Sequence, residues 1–165
     1  MRILGVDPGT RATGYGLIES SNSRLTPLTY GVIGNAAKLE LSECFVNIYR
    51  GLKEIIKSHN PEVIAIEDIF YCKNVSSAIK LGEARGVAIL AAAESGLGVY
   101  EYTPRKVKQA IVGYGGAEKM QVQKMIKALL GLKEIPEPED ASDALAVAIC
   151  HAHAIPGLMA YANKV

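Results

Sequence analysis

The chain has 165 residues, 49% hydrophobic and 21% charged, with a formal net charge of +1. That length and composition suffice for one globular domain with a full core, and the charge is too balanced for a generally basic nucleic-acid binder. The most apolar stretch, Val87 to Ala93, is far too short to span a bilayer, so no membrane role is expected, and the N-terminus lacks the order of a signal peptide. Three cysteines (Cys44, Cys72, Cys150) without CxxC spacing read as reduced thiols of a cytoplasmic protein and indicate neither a disulfide framework nor a zinc site.

In chain order, Arg2 to Asp7, Thr13 to Glu19 and Leu28 to Gly34 alternate as strands, with the first two close enough to form a hairpin. Leu41, Phe45, Ile48, Tyr49, Leu52, Ile55 and Ile56 recur at helical spacing and predict a helix over 40–58, ended by Asn60-Pro61. Val63 to Glu67 is an unbroken apolar strand of the kind buried on both faces. A helix over 75–95 follows, then a strand from Val99 to Tyr102, and a helix that begins at Thr103-Pro104. Helices over 118–130 and 140–155 complete the pattern. The segment Lys133 to Glu139, with two prolines, is expected to be loosely ordered. The order βββαβαβα plus two helices specifies one α/β domain with a mixed sheet over 1–155, followed by a short tail, 156–165.

Acidic residues stand at the ends of these elements. Asp7 closes the first strand, Glu67-Asp68 closes the buried strand, and Asp140 and Asp143 open the last helix on one of its faces. Each has a plain structural alternative. Asp7-Pro8-Gly9 is turn chemistry, a carboxylate can mark a strand's exit into water, and Asp near a helix N-terminus caps free N–H groups. Strand ends are nevertheless where open α/β sheets place ligands. Adjacent strand residues face opposite ways, so only one of Glu67 and Asp68 can share a site with Asp7, and Glu67 continues the inward run. Carboxylates gathered from distant segments repel one another. A divalent cation offsets that cost and is a tool for phosphate chemistry.

Charge is also segregated. Glu101 to Leu130 holds six basic and two acidic residues, whereas Gly131 to Asp143 holds one Lys and five acids, an arrangement suited to gripping a polyanion beside bound metal. Phe70-Tyr71-Cys72-Lys73 follows the Glu67 strand, and its aromatics are either core residues at a helix entry or a platform for bases. The glycines of Gly113-Tyr-Gly-Gly could admit a phosphate. Gly82 and Gly86, flanked by Ala78, Ala84, Ala88 and Ala91, serve either packing on the sheet or a symmetric dimer contact. His151 and His153 do not share the face of Asp143 and read as surface or packing residues.

Taken in order, "ILGVDPGTRATGYGLI", "AIEDIFYCKN", "SAIKLGEARGVAI", "VKQAIVGYGGAEKMQV" and "DASDALAVAICHAH" resemble RuvC-type Holliday junction resolvases over roughly residues 1 to 155. The resemblance implies a ribonuclease H-like fold, a five-stranded mixed sheet with helices on both faces, and a homodimer. It implies that Asp7, Glu67, Asp140 and Asp143 are the catalytic metal ligands, holding two Mg²⁺ per site with Mn²⁺ as a possible substitute. Phe70 matches an aromatic that unstacks bases, and Lys108 and Lys119 match basic residues near the cut phosphate. The resemblance assigns no comparable role to Tyr71, which with Lys73 and Arg105 is a further expected DNA contact, and Gly82 and Gly86 are expected dimer contacts. The implied activity is resolution of a DNA four-way junction by paired nicks, through metal-activated water, in recombination and repair. A partnership with the RuvA–RuvB branch-migration complex is implied in the same way. Competing readings are an RNA-processing ribonuclease H-like enzyme, an actin-like ATPase half and a non-catalytic DNA-binding module.

Overall fold

A computed structural model describes residues 1–22, 24–68 and 74–162, with side chains through residue 155. Its elements are β1 (Arg2–Asp7), β2 (Ala12–Ser21), β3 (Arg24–Gly34), α1 (Leu41–His59), β4 (Val63–Glu67), α2 (Val75–Glu94), β5 (Gly98–Tyr102), α3 (Pro104–Val112), α4 (Lys119–Leu129) and α5 (Glu139–Ala162). The sheet order is β3-β2-β1-β4-β5, with β1, β2 and β3 antiparallel to their neighbours and β1, β4 and β5 parallel. The mixed five-stranded sheet expected from sequence is present.

Alternation along the central strands divides the molecule into two layers. Ile3, Ile18, Val63, Ala65 and Tyr102 project to one face, where Val107 and Ile111 of α3, Val122 and Ile126 of α4 and the run Leu145–Cys150 of α5 cover them. Leu4, Val6, Leu17, Ile64 and Ile66 project to the other, against Ile48, Leu52 and Ile56 of α1 and the alanines Ala84, Ala88, Ala91 and Ala92 of α2. Helices therefore cover both faces. By the same parity Asp7 and Glu67 belong to the α5 face, while Asp68 belongs to the α2 face.

On the α5 face, β1 and β2 carry glycine where a side chain would otherwise intervene. A Cβ on Gly5 would stand 2.0 Å from the Ala144 carbonyl oxygen, one on Gly14 2.0 Å from the Asp140 carbonyl oxygen, and one on Gly16 2.7 Å from Leu145 Cγ. The helix consequently rests on strand backbone. Gly14 is also the register partner of Asp7, so Asp140 is brought over the end of β1.

Three boundaries differ from the sequence reading. The third strand begins at Arg24, because Pro27 sits on the edge strand beside a register irregularity at Leu17/Ile18, where a missing N–H breaks no ladder. The segment from Lys133 to Glu139 is not loose as expected: Pro136 is buried, and the Pro138 carbonyl accepts from Ala141 N (3.0 Å) and Ser142 N (3.3 Å) to start α5. The last helix continues beyond residue 155, through Pro156 to Ala162. Among the described residues, no helix is long and apolar enough to cross a membrane.

The contact between α5 and the sheet can be tested by adding a single methyl group. Because the obstacle at Gly5 is backbone, Gly5→Ala is expected to destabilise the fold by about 1–3 kcal/mol, read as a drop in Tm of roughly 2–12 °C. An unchanged Tm would show that α5 does not rest on β1.

Candidate active site

The parallel register sets the first half of the site. Val6 pairs with Ile66, so the next residues of the two strands, Asp7 and Glu67, lie side by side at the carboxyl edge of the sheet. Behind Asp7 the turn is fixed by Thr13, fully buried, whose hydroxyl donates to the Gly9 carbonyl (2.7 Å) and accepts from Gly9 N (3.3 Å). Asp7 is thus both the opening of a built turn and a half-buried carboxylate. The second half comes from α5. Its first-turn amides are served by Pro138, and Asp143 turns to Lys119, accepting a hydrogen bond from Nζ at 2.9 Å. The helix-cap alternative for Asp143 therefore gives way to an ion pair. Lys119 also bonds Glu139, a contact that sequence reasoning did not anticipate.

The electrostatics record how closely these groups are held. Burial, followed by the like charges of Glu67, Asp143 and Asp140, pushes the Asp7 carboxyl up to about 8, and Lys119 only partly relieves it. Burial and then Asp143 push Glu67 up to about 7, against a hydrogen bond to Asp7 and the charges of Lys119 and Lys108. Asp143 is also raised, by burial first, with Lys119 working against the shift. Burial alone would depress Lys119, but its bonds to Glu139 and Asp143 prevail and raise it. Asp7, Glu67 and Asp143 are thus linked electrostatically, and the charge of Asp140 reaches Asp7 and Asp143.

A cavity of about 200 Å³ opens among Glu67, Pro104, Val107, Lys108, Lys119, Val122, Asp143 and Ala146, so the two expected lysines stand with two of the acids. A larger cleft of about 740 Å³ under the 132–137 segment shares none of these residues. Among the described residues, no three Asp, Glu, His or Cys groups converge closely enough to cage a metal ion as they stand. Their chemistry nevertheless fits one: all are hard oxygen donors, and burial followed by neighbouring like charge raises the proton affinities of Asp7 and Glu67, which a cation would offset.

The neighbouring carboxylate, Asp68, is placed elsewhere. Its N–H donates to the Tyr102 carbonyl (2.8 Å), and its Oδ1 lies 3.3 Å from Arg85 of α2, which also binds Glu101. Arg105 is exposed at the start of α3. The expected DNA contacts Phe70, Tyr71 and Lys73 lie outside the described residues. His151, grouped with surface or packing residues by sequence, is core. Its Nδ1 is 2.7 Å from the Tyr102 hydroxyl, and burial lowers its proton affinity. No periodicity in the sequence points to that pair, because its members belong to a strand and a helix that meet only in the fold.

The family profile described as "Crossover junction endodeoxyribonuclease RuvC" matches residues 3–151. Crossover junction endodeoxyribonuclease RuvC of Caldanaerobacter subterraneus subsp. tengcongensis is 54% identical over 153 residues, 93% of either chain. Its counterpart in Citrifermentans bemidjiense is 57% identical over 153 residues, again 93% of each. Thermus thermophilus RuvC in complex with Holliday junction substrate superposes with a TM-score of 0.87 at 32% identity, covering 95% of this chain and 96% of that one. The yeast mitochondrial Holliday junction resolvase Ydc2 shares the fold alone, with a TM-score of 0.71 at 12% identity over 98% of this chain and 82% of its own. With a ribonuclease H-like fold and relatives matched over nearly their full length, the chain belongs to the RuvC family of crossover junction endodeoxyribonucleases, enzymes of the hydrolase class.

Proposed function

We propose that this protein resolves four-way DNA junctions by paired symmetric nicks in recombination and repair, through the nuclease domain of residues 1–155 and acting in the cytoplasm. The observation that carries this reading is the meeting of Asp7 and Glu67 with Asp140 and Asp143 on one face, with Lys108 and Lys119 beside them. The Thermus relative solved with a Holliday junction substrate supports the choice of DNA substrate. Asp7, Glu67, Asp140 and Asp143 would hold magnesium, two ions per site with manganese as a substitute. When bound, the metal supplies charge neutralisation at the phosphate and brings the pKa of water toward neutrality.

The protein's own residues supply the remainder. Asp7 and Glu67 must lose the proton that their raised affinities retain, so burial couples metal capture to deprotonation. Lys119 is held by Asp143 and Glu139, and once their charge is compensated its ammonium can turn to the scissile phosphate. Lys108, on the cavity wall near Glu67, neutralises charge that develops on the phosphoryl oxygens. Arg105 contacts the DNA backbone. Phe70, Tyr71 and Lys73 complete the DNA surface, with Phe70 unstacking bases near the junction centre.

A junction has two strands to cut, which suits a C2 homodimer. On α2, Val75, Ile79 and Leu90 are exposed, and Gly86 falls on the same helical stripe with nothing within 4 Å of a built Cβ. Gly82 is half-buried one turn before it. Such an apolar stripe, turned away from the protomer's own sheet, supports the dimer reading over intramolecular packing. Collaboration with the RuvA–RuvB complex is part of the same proposal.

Asp7→Asn is expected to retain junction binding within a few-fold while cleavage in Mg²⁺ falls on the order of 10³-fold, because a charge-stabilising ligand is lost. A junction cleavage assay with mapped cut sites decides this, and normal cutting by the variant would refute the site. Gly86→Glu should leave the monomer folded and shift sedimentation from dimer to monomer.

The pH dependence of stability follows from the raised carboxyls. Asp7 holds its proton more tightly folded (about 8) than unfolded (3.8), so its contribution is fully present below about pH 4 and is lost as pH rises through about 8. Metal-free protein should therefore melt lower at pH 8 than at pH 5. Mg²⁺ should restore Tm at the higher pH, and Asp7→Asn should flatten the metal-free slope. A metal-free Tm that rises over this range would contradict the electrostatics.

A further inference from the structure

The acids come from two bodies: strand ends carry Asp7 and Glu67, and α5 carries Asp140 and Asp143. The glycine seat holds α5 against β1 and β2. On the flank toward β5 the structure adds a polar tie that the chemistry above does not use. Tyr102 is the parallel register partner of Glu67, and its carbonyl accepts the Asp68 N–H (2.8 Å), so its backbone fixes the end of β4 where Glu67 stands. Its side chain, 4% exposed, crosses to α5, where the hydroxyl lies 2.7 Å from His151 Nδ1. Among the described residues no other side-chain hydrogen bond joins the sheet to α5. The remaining ones of that helix go to Lys119 of α4 and to the Lys106 and Ala110 carbonyls of α3.

Both partners are held in place. His151 is 2% exposed, with the Tyr100 and Tyr102 ring centroids 4.3 Å and 5.8 Å from its own, and Lys106 Nζ stands 5.1 Å from the Tyr102 centroid. Burial keeps His151 below the usual imidazole range and pushes Tyr102 up to about 12, so both are neutral around pH 7 and the bond does not switch there. An apolar pair of the same shape would serve stability about as well. What the bond adds is direction, since a hydrogen bond weakens steeply off its axis. From Tyr102 the chain passes through Thr103 into α3, whose Pro104, Val107 and Lys108 line the cavity with Glu67 and Asp143. One residue thus meets β4 through its backbone, α3 through the chain and α5 through its side chain. His151 lies eight residues beyond Asp143, about 12 Å along the helix, where a directional tie resists sliding and rolling of α5 on its seat.

Building on the nuclease reading, we propose that Tyr102 and His151 are positioning residues of the active site, whose bond sets the placement of Glu67 on β4 relative to Asp143 on α5. Neither touches the substrate; both act through the carboxylates. Without the bond the fold and the DNA surface persist, but α5 shifts on its seat and the acids no longer hold one spacing. The fit of the site to a divalent cation, and turnover with it, depend on that spacing.

The test uses full-length protein, Mn²⁺ as the probe of the site and a synthetic four-way junction. Tyr102→Phe keeps the ring and removes the hydroxyl, His151→Leu removes the imidazole, and His151→Asn keeps a hydrogen-bonding group near the place of Nδ1. Tyr102→Phe and His151→Leu should each lower the single-turnover cleavage rate about ten-fold. They should weaken Mn²⁺ binding to DNA-free protein, read by electron paramagnetic resonance, by a similar factor, with the junction Kd within about two-fold of wild type. The double variant should lose no more than either single one, because both break one bond, and His151→Asn should recover most of the loss. Ile48→Val, in the opposite layer, controls for stability: it should lower Tm yet leave cleavage and Mn²⁺ affinity unchanged. Tyr102→Phe preserves the shape of the core and decides the matter if His151→Leu does not fold. Wild-type cleavage and Mn²⁺ affinity in Tyr102→Phe, or equal losses in Ile48→Val, would make the pair merely structural and overturn the proposal while the nuclease reading stands. Wild-type protein that neither binds Mn²⁺ nor cuts junctions would refute both.

Discussion

The direct seating of α5 on the backbone of β1 and β2 is the contact on which the rest of this structure depends. Interiors are close-packed, and a side chain at Gly5, Gly14 or Gly16 would have to displace helix backbone or Leu145. Without those side chains, α5 lies flat and carries Asp140 over Gly14, the register partner of Asp7. The seat therefore joins carboxylates from three distant parts of the sequence. It also joins their energetics, since an adjustment that relieved packing along α5 would move two acids relative to the other two.

Folding places those acids together against their own repulsion. Burial first, and then neighbouring carboxylates, raise the proton affinities of Asp7 and Glu67, while Asp143 pairs with Lys119. Neither effect removes the charge problem, and a divalent cation addresses it directly. Lys119 is the countercharge to Asp143 and Glu139, and it also lines the adjoining cavity with Glu67 and Lys108. Concentrated like charge that weakens a protein alone is a way to capture metal, because the binding energy comes partly from strain already present.

The opposite layer applies the same strand alternation to another end. Where Glu67 points to α5, Asp68 points to α2 and meets Arg85, which also holds Glu101. This cluster ties α2 to the ends of β4 and β5 without adding another acid to the α5 side. Since α2 also bears the exposed stripe around Gly86, the ends of β4 and β5 and the surface proposed for dimerisation are joined through one helix.

Much of this was legible in the linear chain. Period-two and period-3.6 patterns located all ten elements, because they depend on local geometry and on which residues avoid water. Strand alternation together with the family resemblance separated Glu67 from Asp68, and the order of the motifs carried the family. Errors arose where the outcome depends on neighbours distant in sequence. Pro27 is harmless only because β3 is an edge, and Lys133–Glu139 holds its course because Pro136 is buried and Pro138 starts α5. His151, open between surface and packing on sequence, packs in the core where Tyr102 meets it. What the sequence by itself determined is the set of elements, the identity of the acids and the face each strand residue must take, all consequences of local backbone geometry. The tertiary structure alone decided that α5 carries Asp140 over Gly14, the register partner of Asp7, that Lys119 bridges Glu139 and Asp143, and that Tyr114 is seated on Gly116. Proximity between distant segments is set by which side chains are absent from the interface, and no single stretch of sequence contains that information.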